Sequence, residues 1–596
     1  KKLNIDLSSK ALICIAIFSL LFMYLIRWNG LSGENYRNII TSDGEGYYLY
    51  FEGLLGETVL NKQVANDYFL VSTPDGSVVN KYFVGVALLQ SPFILAVYSY
   101  KALMGQEINL YSEAFQKTVS FAGIFYLFIG LWASRKFLID FNIEQRIIAF
   151  GLIALFFGTN LSYYSLLEPA MSHVYSFALI TLFLLLYRKL FINFEQNKVI
   201  ILAFVFGLIV LVRPFNGLIV LALPLISLDN RNLLDTLKRV FISFPSNLIS
   251  IIIFGSLLSI QLVFWKLQTG NFLLWSYAKE GFYFLHPEWV NFLFSFRKGL
   301  FIYTPFVLLS ILLFSLTIRK QTRLLISGLG FFVTLVYFLS SWWNWYYGDS
   351  YGSRVMVDYM VIFILFFALG LQQIQYKFQK YVVLLATLFV ILNVFQTYQY
   401  YYRIISPFDM NAEKYAFTFG KAGSQNQGLL GGRDDMVCYH TKPLIPVFYD
   451  KVDFIKPNNK FLYLTTPIFT ENGKTWLSFT PSDEFGLSFK FSATLFEDYS
   501  SAHVELSNRT KYFSGNLNRV FWTVTYFDSN YNVYYHREYK INGIPLKVNQ
   551  VRKDDYSFAL VKPESSDDIV QIAIWNYTHS TFLLTDLEID VKGIVE

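Results

Sequence analysis

The sequence has little cysteine, little charge and no nucleotide-binding motif, and each shortage excludes a class of protein. Only two cysteines occur in 596 residues, Cys14 in an apolar run and Cys438 in the tail, so a disulfide framework is excluded. Charged residues make up 15% of the chain, against roughly 25% in average soluble domains. No phosphate-loop or Rossmann glycine pattern occurs in the segments predicted to be cytoplasmic, which argues against a nucleotide-driven mechanism.

Apolar and aromatic residues are abundant instead, at 54% and 19% of the chain. Twelve apolar runs fall near residues 11–27, 81–100, 115–134, 147–163, 171–187, 199–212, 214–228, 240–264, 300–318, 324–341, 355–371 and 381–397. Runs of this kind are typical of membrane helices. The net charge of +6 requires no nucleic-acid partner, because the basic residues cluster in short loops between the runs. The composition therefore predicts a polytopic membrane protein.

The basic loops also predict the orientation. By the positive-inside rule, the cytoplasmic side holds the loops that carry Lys1/Lys2/Lys10, Arg135/Lys136/Arg146, Arg188/Lys189/Lys198, Arg231/Lys238/Arg239, Arg319/Lys320/Arg323 and Lys377/Lys380. The rule holds throughout if the run 81–100, which contains Pro92 and has tyrosine and lysine at both ends, lies in the membrane interface. Eleven crossings then remain, with the N-terminus inside and the C-terminus outside. No small-residue cleavage site follows the first run, which predicts a retained first helix.

The stretch 199–228 has basic residues on both sides but is short for two full crossings. We expect two short helices that meet partway through the membrane, with Arg213 at the floor of an outward-facing cavity. The alternative is one long, kinked helix and one violation of the charge rule.

The outer loops carry the unusual residues, whereas the cytoplasmic loops are short and carry no motif. The outer loops span residues 28–114, 164–172, 265–299 and 342–354. This asymmetry predicts a function on the outer face of the membrane.

The tail is a different kind of sequence. Residues 1–402 form the predicted transmembrane domain, and the glycine-rich stretch 403–458 is interpreted as a linker. From 459 to 596 the hydrophobic pattern has period two, which predicts an all-β sandwich of the jelly-roll or carbohydrate-binding kind. Its tyrosines at 531, 534 and 535 suit either sugar stacking or cross-strand pairs, and we favour the pairs.

An acidic motif after the first run, Ser42 to Tyr48, is the first candidate site. It contains Asp43 and Glu45, and a carboxylate held at a membrane surface can act as a general base on a hydroxyl. The competing interpretation is a solvated Asp-Gly turn. Glu168 and His173 flank a helix start in the second outer loop, near the predicted acceptor or metal site. His173 suits a metal ligand, an acid or base, or a donor to phosphate. The plainer alternative is a capped helix with an exposed histidine.

Cations on the outer side are the second candidate group, because the charge rule disfavours them there. Arginine can bind a phosphate with two hydrogen bonds, which predicts a donor-phosphate role for Lys81, Arg213, Arg297 and Arg354. Lys81 and its counterpart Lys298 have an alternative role as lysines that reach lipid headgroups. The aromatic loop around Trp343 and Tyr347 is predicted to lie near the acceptor or a metal.

Together these features resemble the GT-C superfamily of integral-membrane glycosyltransferases, by layout over residues 1–400 more than by long motifs. Asp43 falls where that superfamily has its catalytic carboxylate, Lys81 opens a segment like its interfacial helix, and Glu168 matches its second outer acid. Segments 296–305 and 348–354 look like parts of bacterial members. The chain has Asp-Gly-Glu where an Asp-Glu pair is expected, so either acid could be the base. The Trp-Trp-Asp-Tyr-Gly signature of oligosaccharyltransferases is absent.

The resemblance implies an inverting glycosyltransferase of a bacterial inner membrane, with its β-domain in the periplasm. Its donor is a polyprenyl-phosphate-linked sugar, and its acceptor is a hydroxyl of a glycan, lipid or protein. The enzyme is embedded in the lipid bilayer. No nucleotide is expected, and a divalent metal on Asp43, Glu168 and His173 is left open. The alternatives are a transporter or flippase of lipid-linked sugars, which internal repeats would support but none is seen, and a glycan-binding membrane scaffold.

Overall fold

A computed structural model describes residues 5–30, 35–55, 69–73, 76–227, 230–277, 280–431, 444–457, 460–471, 473–541 and 543–595. Lys1, Lys2 and Cys438 lie outside these residues, as do stretches 31–34 and 56–68 of the first outer loop and 432–443 of the predicted linker.

Up to residue 426 the described chain is helical, apart from two short strands, Leu70–Ser72 and Val78–Asn80; from residue 444 it is built mainly of strands. Its α-helices are α1 (Leu7–Phe22), α2 (Asp43–Leu55), α3 (Gly85–Leu103), α4 (Glu113–Ile139), α5 (Gln145–Phe157), α6 (Leu161–Leu166), α7 (Ser172–Ile192), α8 (Gln196–Val212), α9 (Leu223–Ser227), α10 (Asn230–Ile242), α11 (Ser246–Thr269), α12 (Trp289–Phe294), α13 (Leu300–Tyr303), α14 (Pro305–Thr317), α15 (Thr322–Ser340), α16 (Met360–Gln373), α17 (Tyr376–Tyr401) and α18 (Ala412–Thr418).

Eight helical segments of the described chain are long and apolar enough to cross a membrane: Leu7–Asn29, Gly85–Leu103, Glu113–Ile139, Ser172–Ile192, Ser246–Thr269, Thr322–Ser340, Arg354–Gln373 and Tyr376–Tyr401. Four shorter apolar helical segments accompany them, Gln145–Phe157, Gln196–Val212, Pro214–Ser227 and Pro305–Thr317. The twelve segments match the twelve apolar runs, and the predicted fold class is confirmed. Gly85–Leu103, which the charge rule assigns to the interface, is itself long and apolar enough to cross, so its placement stays a prediction.

The hairpin predicted at 199–228 is present. Helix α8 ends at Val212, Arg213 has an extended backbone, and Pro214–Ala222 continues as a 3-10 helix into α9. A Cβ added at Gly217 would lie 3.7 Å from Val210 and 3.8 Å from Phe206, so the chain folds back along α8. The proline cannot continue a helix from residue 213, because it lacks the amide hydrogen and disfavours a helical preceding residue. Arg213 therefore lies at the tip of the hairpin, as expected.

The segment predicted to be the first outer loop packs against α3, α4 and α11. It contains a 3-10 turn (Asn35–Asn38), helix α2 and the paired strands β1 (Leu70–Ser72) and β2 (Val78–Asn80) before α3. Gly44 and Gly46 allow α2 to pack closely, because a Cβ at Gly44 would lie 2.6 Å from Ala170 and one at Gly46 would lie 2.4 Å from the Tyr82 ring. The two glycines of the Asp-Gly-Glu-Gly sequence are therefore explained by the close packing of α2, and the segment is not a solvated turn.

The tail forms two antiparallel sheets that share one core. The strands are β3 (Leu444–Lys451), β4 (Leu462–Leu464), β5 (Ile468–Glu471), β6 (Lys474–Phe479), β7 (Phe485–Ser492), β8 (Ser501–Ser514), β9 (Phe521–Phe527), β10 (Val533–Lys540), β11 (Val551–Val561), β12 (Ile569–Trp575) and β13 (Thr581–Ile594). One sheet has the order β10-β9-β12-β7-β4. The other has the order β11-β8-β13-β6-β5, with β3 also paired to β13.

Alternate residues of the two sheets, such as Trp522 and Val524 on β9 and Val504 and Leu506 on β8, meet in the sandwich core. The predicted boundary at 459 is too late, because β3 lies inside the stretch interpreted as linker and pairs with β13 from Leu444 onward. The glycine-rich residues before β3 led to the interpretation of the whole stretch 403–458 as a linker, although β3 itself contains no glycine.

Candidate active site

Asp43 lies in the first turn of α2, where it contacts two polar groups from distant segments. Its Oδ2 lies 2.7 Å from Arg354 Nη2, and its Oδ1 accepts a hydrogen bond of 2.7 Å from the Tyr82 hydroxyl. Ser42 before it has a φ of +55°, a conformation that costs energy in residues other than glycine and is concentrated at functional sites. The Asp43 side chain remains 27% exposed, so a substrate hydroxyl can reach it.

The surroundings of Asp43 keep it ionised. Burial alone would raise the pKa of Asp43, but the charge of Arg354 and the hydrogen bond from Tyr82 outweigh it, with a further contribution from Lys81. The pKa of this carboxyl therefore lies below its ordinary value of 3.8. Asp43 is a carboxylate at neutral pH and can accept a proton.

Glu45 has different surroundings, although it also lies in the first turn of α2. Burial and the neighbouring Glu52 raise its pKa above the ordinary value. Two residues along a helix differ by about 200°, so Glu45 and Asp43 are on different faces of α2. Of the two acids left open by the sequence, Asp43 is the one placed against a cation and a hydroxyl.

A second cluster of polar side chains lies beside the first, at the tip of the α8–α9 hairpin. Asp358 is fully buried and accepts hydrogen bonds from Asn216 Nδ2 (2.9 Å) and Arg213 Nη1 (3.3 Å). His173 Nδ1 lies 2.8 Å from the other oxygen of Asp358. The Arg213 side chain keeps 24% exposure, so its remaining N–H groups are accessible to a ligand. The amide of Asn216, the ring of His173 and the guanidinium of Arg213 together offset the free-energy cost of burying the Asp358 carboxylate.

Tyr47 and Tyr347 join the two clusters. The Tyr47 ring lies 4.6 Å from the Tyr82 ring, and the charges of both Arg213 and Asp43 act on its hydroxyl. Tyr347 is close enough to Arg213 and Arg354 for both charges to lower its pKa, although burial raises that pKa more. Its hydroxyl donates to the Leu339 carbonyl at 2.8 Å. Arg354 and Asp358 belong to one 3-10 turn, Arg354–Tyr359, so this single turn contributes to both clusters.

Glu168 lies close enough to Asp43 and Arg354 for their charges to affect its pKa. Its Oε1 accepts a hydrogen bond of 2.8 Å from the Tyr163 hydroxyl, while its buried Oε2 accepts none from the described residues. Burial raises the pKa of Glu168 to about 7. The described residues contain no group of three or more His, Cys, Asp or Glu side chains arranged to hold a metal. Of the three residues for which the sequence leaves a metal open, Asp43 pairs with Arg354, His173 with Asp358 and Glu168 with Tyr163.

The remaining predicted residues have other partners. Lys81 Nζ pairs with Glu280 at 3.1 Å. Arg297 lies 3.5 Å over the Tyr346 ring and its Nε donates to the Phe408 carbonyl at 3.0 Å, which places it in the packing of the outer loops rather than against Asp43. The Trp343 amide donates to the Gly281 carbonyl at 2.9 Å, and its buried indole N–H has no partner among the described residues.

Sequence reasoning missed three contributors: Asp358, Asn216 and Tyr82. Asp358 had a readable signal, since it is an acid four residues inside an apolar run, and ionisable groups in such runs are functional candidates by default. Asn216 and Tyr82 are ordinary residues in sequence, and only the packing of the hairpin and of α2 shows their role.

No family model matches the chain, and no curated protein matches it in sequence. A comparison with solved structures finds the oligosaccharyltransferase of Archaeoglobus fulgidus, solved with Zn and sulfate, at 14% identity and a TM-score of 0.36 over 70% of this chain and 58% of that one. It also finds the arabinosyltransferase EmbB of Mycobacterium smegmatis, at 11% identity and a TM-score of 0.37 over 98% of this chain and 64% of that one.

Both structures are named as glycosyltransferases. The chain spans about three fifths of the length of these two structures. At these scores and identities, neither likeness assigns an activity to the chain.

Proposed function

We propose that this protein is an inverting glycosyltransferase that moves a sugar from a polyprenyl phosphate to an acceptor hydroxyl on the outer face of the membrane. The observation that carries the proposal is Asp43, a carboxylate kept ionised and partly exposed next to the Arg213–Asp358 cluster. An ionised base and a cationic phosphate site, side by side, are what a one-step sugar transfer requires.

In this reaction the acceptor hydroxyl gives its proton to Asp43 as its oxygen forms a bond to the anomeric carbon. The bond from that carbon to the phosphate oxygen breaks, and its electron pair leaves with the polyprenyl phosphate. Arg213 binds the departing phosphate, since its planar guanidinium can contact two oxygens. A single displacement inverts the anomeric configuration.

Arg354 has a double role in this proposal. In the free protein it pairs with Asp43 and lowers the basicity of that carboxylate. A donor phosphate competes for the same guanidinium, which weakens the pair and raises the pKa of Asp43 toward the range useful for a general base. Donor binding thereby prepares the base.

The test uses purified protein in lipid nanodiscs, with polyprenyl phosphates that carry radiolabelled hexoses or pentoses. Asp43→Asn should lower transfer about 10²–10⁴-fold, the usual effect of losing a general base. Glu45→Gln, in the same helical turn, is the matched control and should retain activity. If Glu45→Gln is inactive and Asp43→Asn is active, the base is Glu45. Full activity in both variants contradicts the enzymatic proposal.

We also propose that the protein is a bacterial inner-membrane protein with a cytoplasmic N-terminus and a periplasmic tail. The support is the distribution of basic loops along the sequence. Single cysteines at Gly76 and in the β-domain should react with a membrane-impermeant reagent from outside, and one at Asp140 should not. Labelling of position 140 from outside would contradict both the orientation and the interfacial assignment of 81–100.

A further inference from the structure

A cleft of about 650 Å³ lies between the outer face of the six-stranded sheet and the segment that follows α17. On the sheet side it is lined by Glu505 and Ser507 of β8, which alternate with the core residues Val504 and Leu506, and by neighbouring positions of β11 and β13. The opposite wall contains Asp409–Lys414 and Arg297. Its volume is in the range of ligand sites, which are about 300–1,000 Å³.

The walls are dense in charge, but the charges are paired. Seven carboxylates and four cationic side chains line the cleft. Among them Asp409 pairs with Lys414 at 2.5 Å, and Asp555 pairs with Lys553 at 3.3 Å. A strongly charged ligand would have to break such pairs, whereas a neutral ligand with many hydroxyl groups can hydrogen-bond to them as they stand.

The cleft-facing Ser507 Oγ lacks a hydrogen-bond partner among the described residues. Buried polar groups are normally satisfied, so this oxygen is a position where a ligand hydroxyl would fit. Tyr449, which is 62% exposed, adds an aromatic face for the apolar side of a sugar ring.

The cleft is connected to the candidate active site by one short stretch of chain. Arg297 lines the cleft and stacks on Tyr346, while the adjacent Lys298 Nζ donates to the carbonyls of Ser350 and Pro407. The loop that contains Tyr346 and Ser350 leads directly to Arg354, the partner of Asp43.

We propose that this cleft binds a neutral glycan chain, and that this chain is the acceptor of the transfer reaction. The part that names the acceptor rests on the proposed function; the part that names the ligand rests on the chemistry of the cleft. A carbohydrate supplies hydroxyl groups for Ser507 and for the charged side chains of the walls, and it leaves the ion pairs in place.

The test measures binding of fluorescent neutral oligosaccharides, built from hexoses or pentoses, to the full-length protein in nanodiscs. An oligosaccharide rich in uronic acids is the charged comparison and should bind at least ten-fold more weakly. Ser507→Trp, which fills the cleft, should weaken binding of the neutral probe at least ten-fold. Asp555→Lys should weaken it several-fold, and because the Asp555 side chain is 71% exposed this change leaves folding intact. Glu538→Lys, on β10 of the other sheet, is the matched control and should bind normally.

Failure of the wild-type protein to bind any neutral oligosaccharide overturns the proposal, as does unchanged binding in both cleft variants. If Ser507→Trp does not fold, Asp555→Lys decides alone. Asp43→Asn separates the two proposals: it should bind the oligosaccharide normally while losing transfer. If it retains transfer, the assigned reaction is wrong and the glycan site stands.

Discussion

Arg213 has two competing explanations, which a pair of substitutions can separate. Either it serves to neutralise the buried Asp358, or it binds the phosphate of a donor. Three variants are needed: Arg213→Gln, Asp358→Asn and the two together. Each replacement removes one charge and keeps a polar side chain, so the double variant has neither charge of the pair.

The stability effect follows from the burial of the pair. Removing one partner of a buried ion pair costs about 3–5 kcal/mol, and the partial exposure of Arg213, 24%, places the expected loss near the lower end, about 3 kcal/mol. His173 and Asn216 still contact Asp358 when Arg213 is replaced. The double variant should regain most of the loss, because neither charge is left unpaired.

The donor affinity should follow a different pattern. A hydrogen bond to a charged group contributes about 1.5–3 kcal/mol, so losing two of them costs about 3 kcal/mol or more, which is roughly 100-fold in affinity. Arg213→Gln and the double variant should both lose this affinity, whereas Asp358→Asn should retain it within a few-fold. Thermal unfolding and calorimetric titration of one polyprenyl-phosphate sugar into the same nanodisc preparations measure both quantities. Recovery of donor affinity in the double variant would refute the donor role and leave Arg213 as a counter-ion only.

Three further predictions concern pH. The kcat/KM of the free enzyme should fall only as pH drops through the lowered pKa of Asp43. The kcat profile reports the donor complex and should show a higher pKa, because the donor phosphate competes with Asp43 for Arg354. Equal pKa values in the two profiles would contradict this competition. The pKa of Glu168 is raised to about 7, so between about pH 4.5 and 7 the folded protein keeps a proton on Glu168 that the unfolded chain has lost. The stability of the fold should therefore fall as pH rises through this window. Glu168→Gln should abolish that fall in thermal melts. Burial lowers the pKa of Lys298 to about 7, so the unfolded chain binds the extra proton above pH 7 and stability should rise from pH 7 toward 9; Lys298→Met should flatten this rise, and an unchanged slope would contradict the assignment.

Most of the fold could be predicted from the sequence, because a bilayer restricts which sequences can form the helices that cross it. Long apolar runs gave the helices, and the proline after Arg213 gave the hairpin tip. The alternation of apolar and polar residues gave the sandwich, since strands of period two bury one face. The start of the sandwich was misjudged, because β3 takes its place in the sheet through a partner far away in sequence.

The site was readable only in part, for a related reason. Asp43, Arg213 and Arg354 are charges where a membrane protein disfavours them, so each was visible alone. Which of them touch was not visible, since Asp43 and Arg354 are separated by most of the transmembrane domain and meet only through helix packing. Arg297 shows a second limit: its Nε donates to the Phe408 carbonyl, and its sequence neighbourhood does not distinguish an arginine that links two loops from one that binds a phosphate.

Strand β13 sits at the centre of the six-stranded sheet, flanked by β8, β6 and β3. During synthesis every other strand of that sheet leaves the ribosome before it does. Until Thr581–Ile594 is made, β3 has no partner and β8 and β6 have an unpaired edge, and such edges readily pair with other chains. The β-domain therefore stays incomplete until Thr581–Ile594 has been made. Stop codons or frameshifts just before residue 581 should thus yield a protein that inserts its helices normally but aggregates or is degraded through its tail.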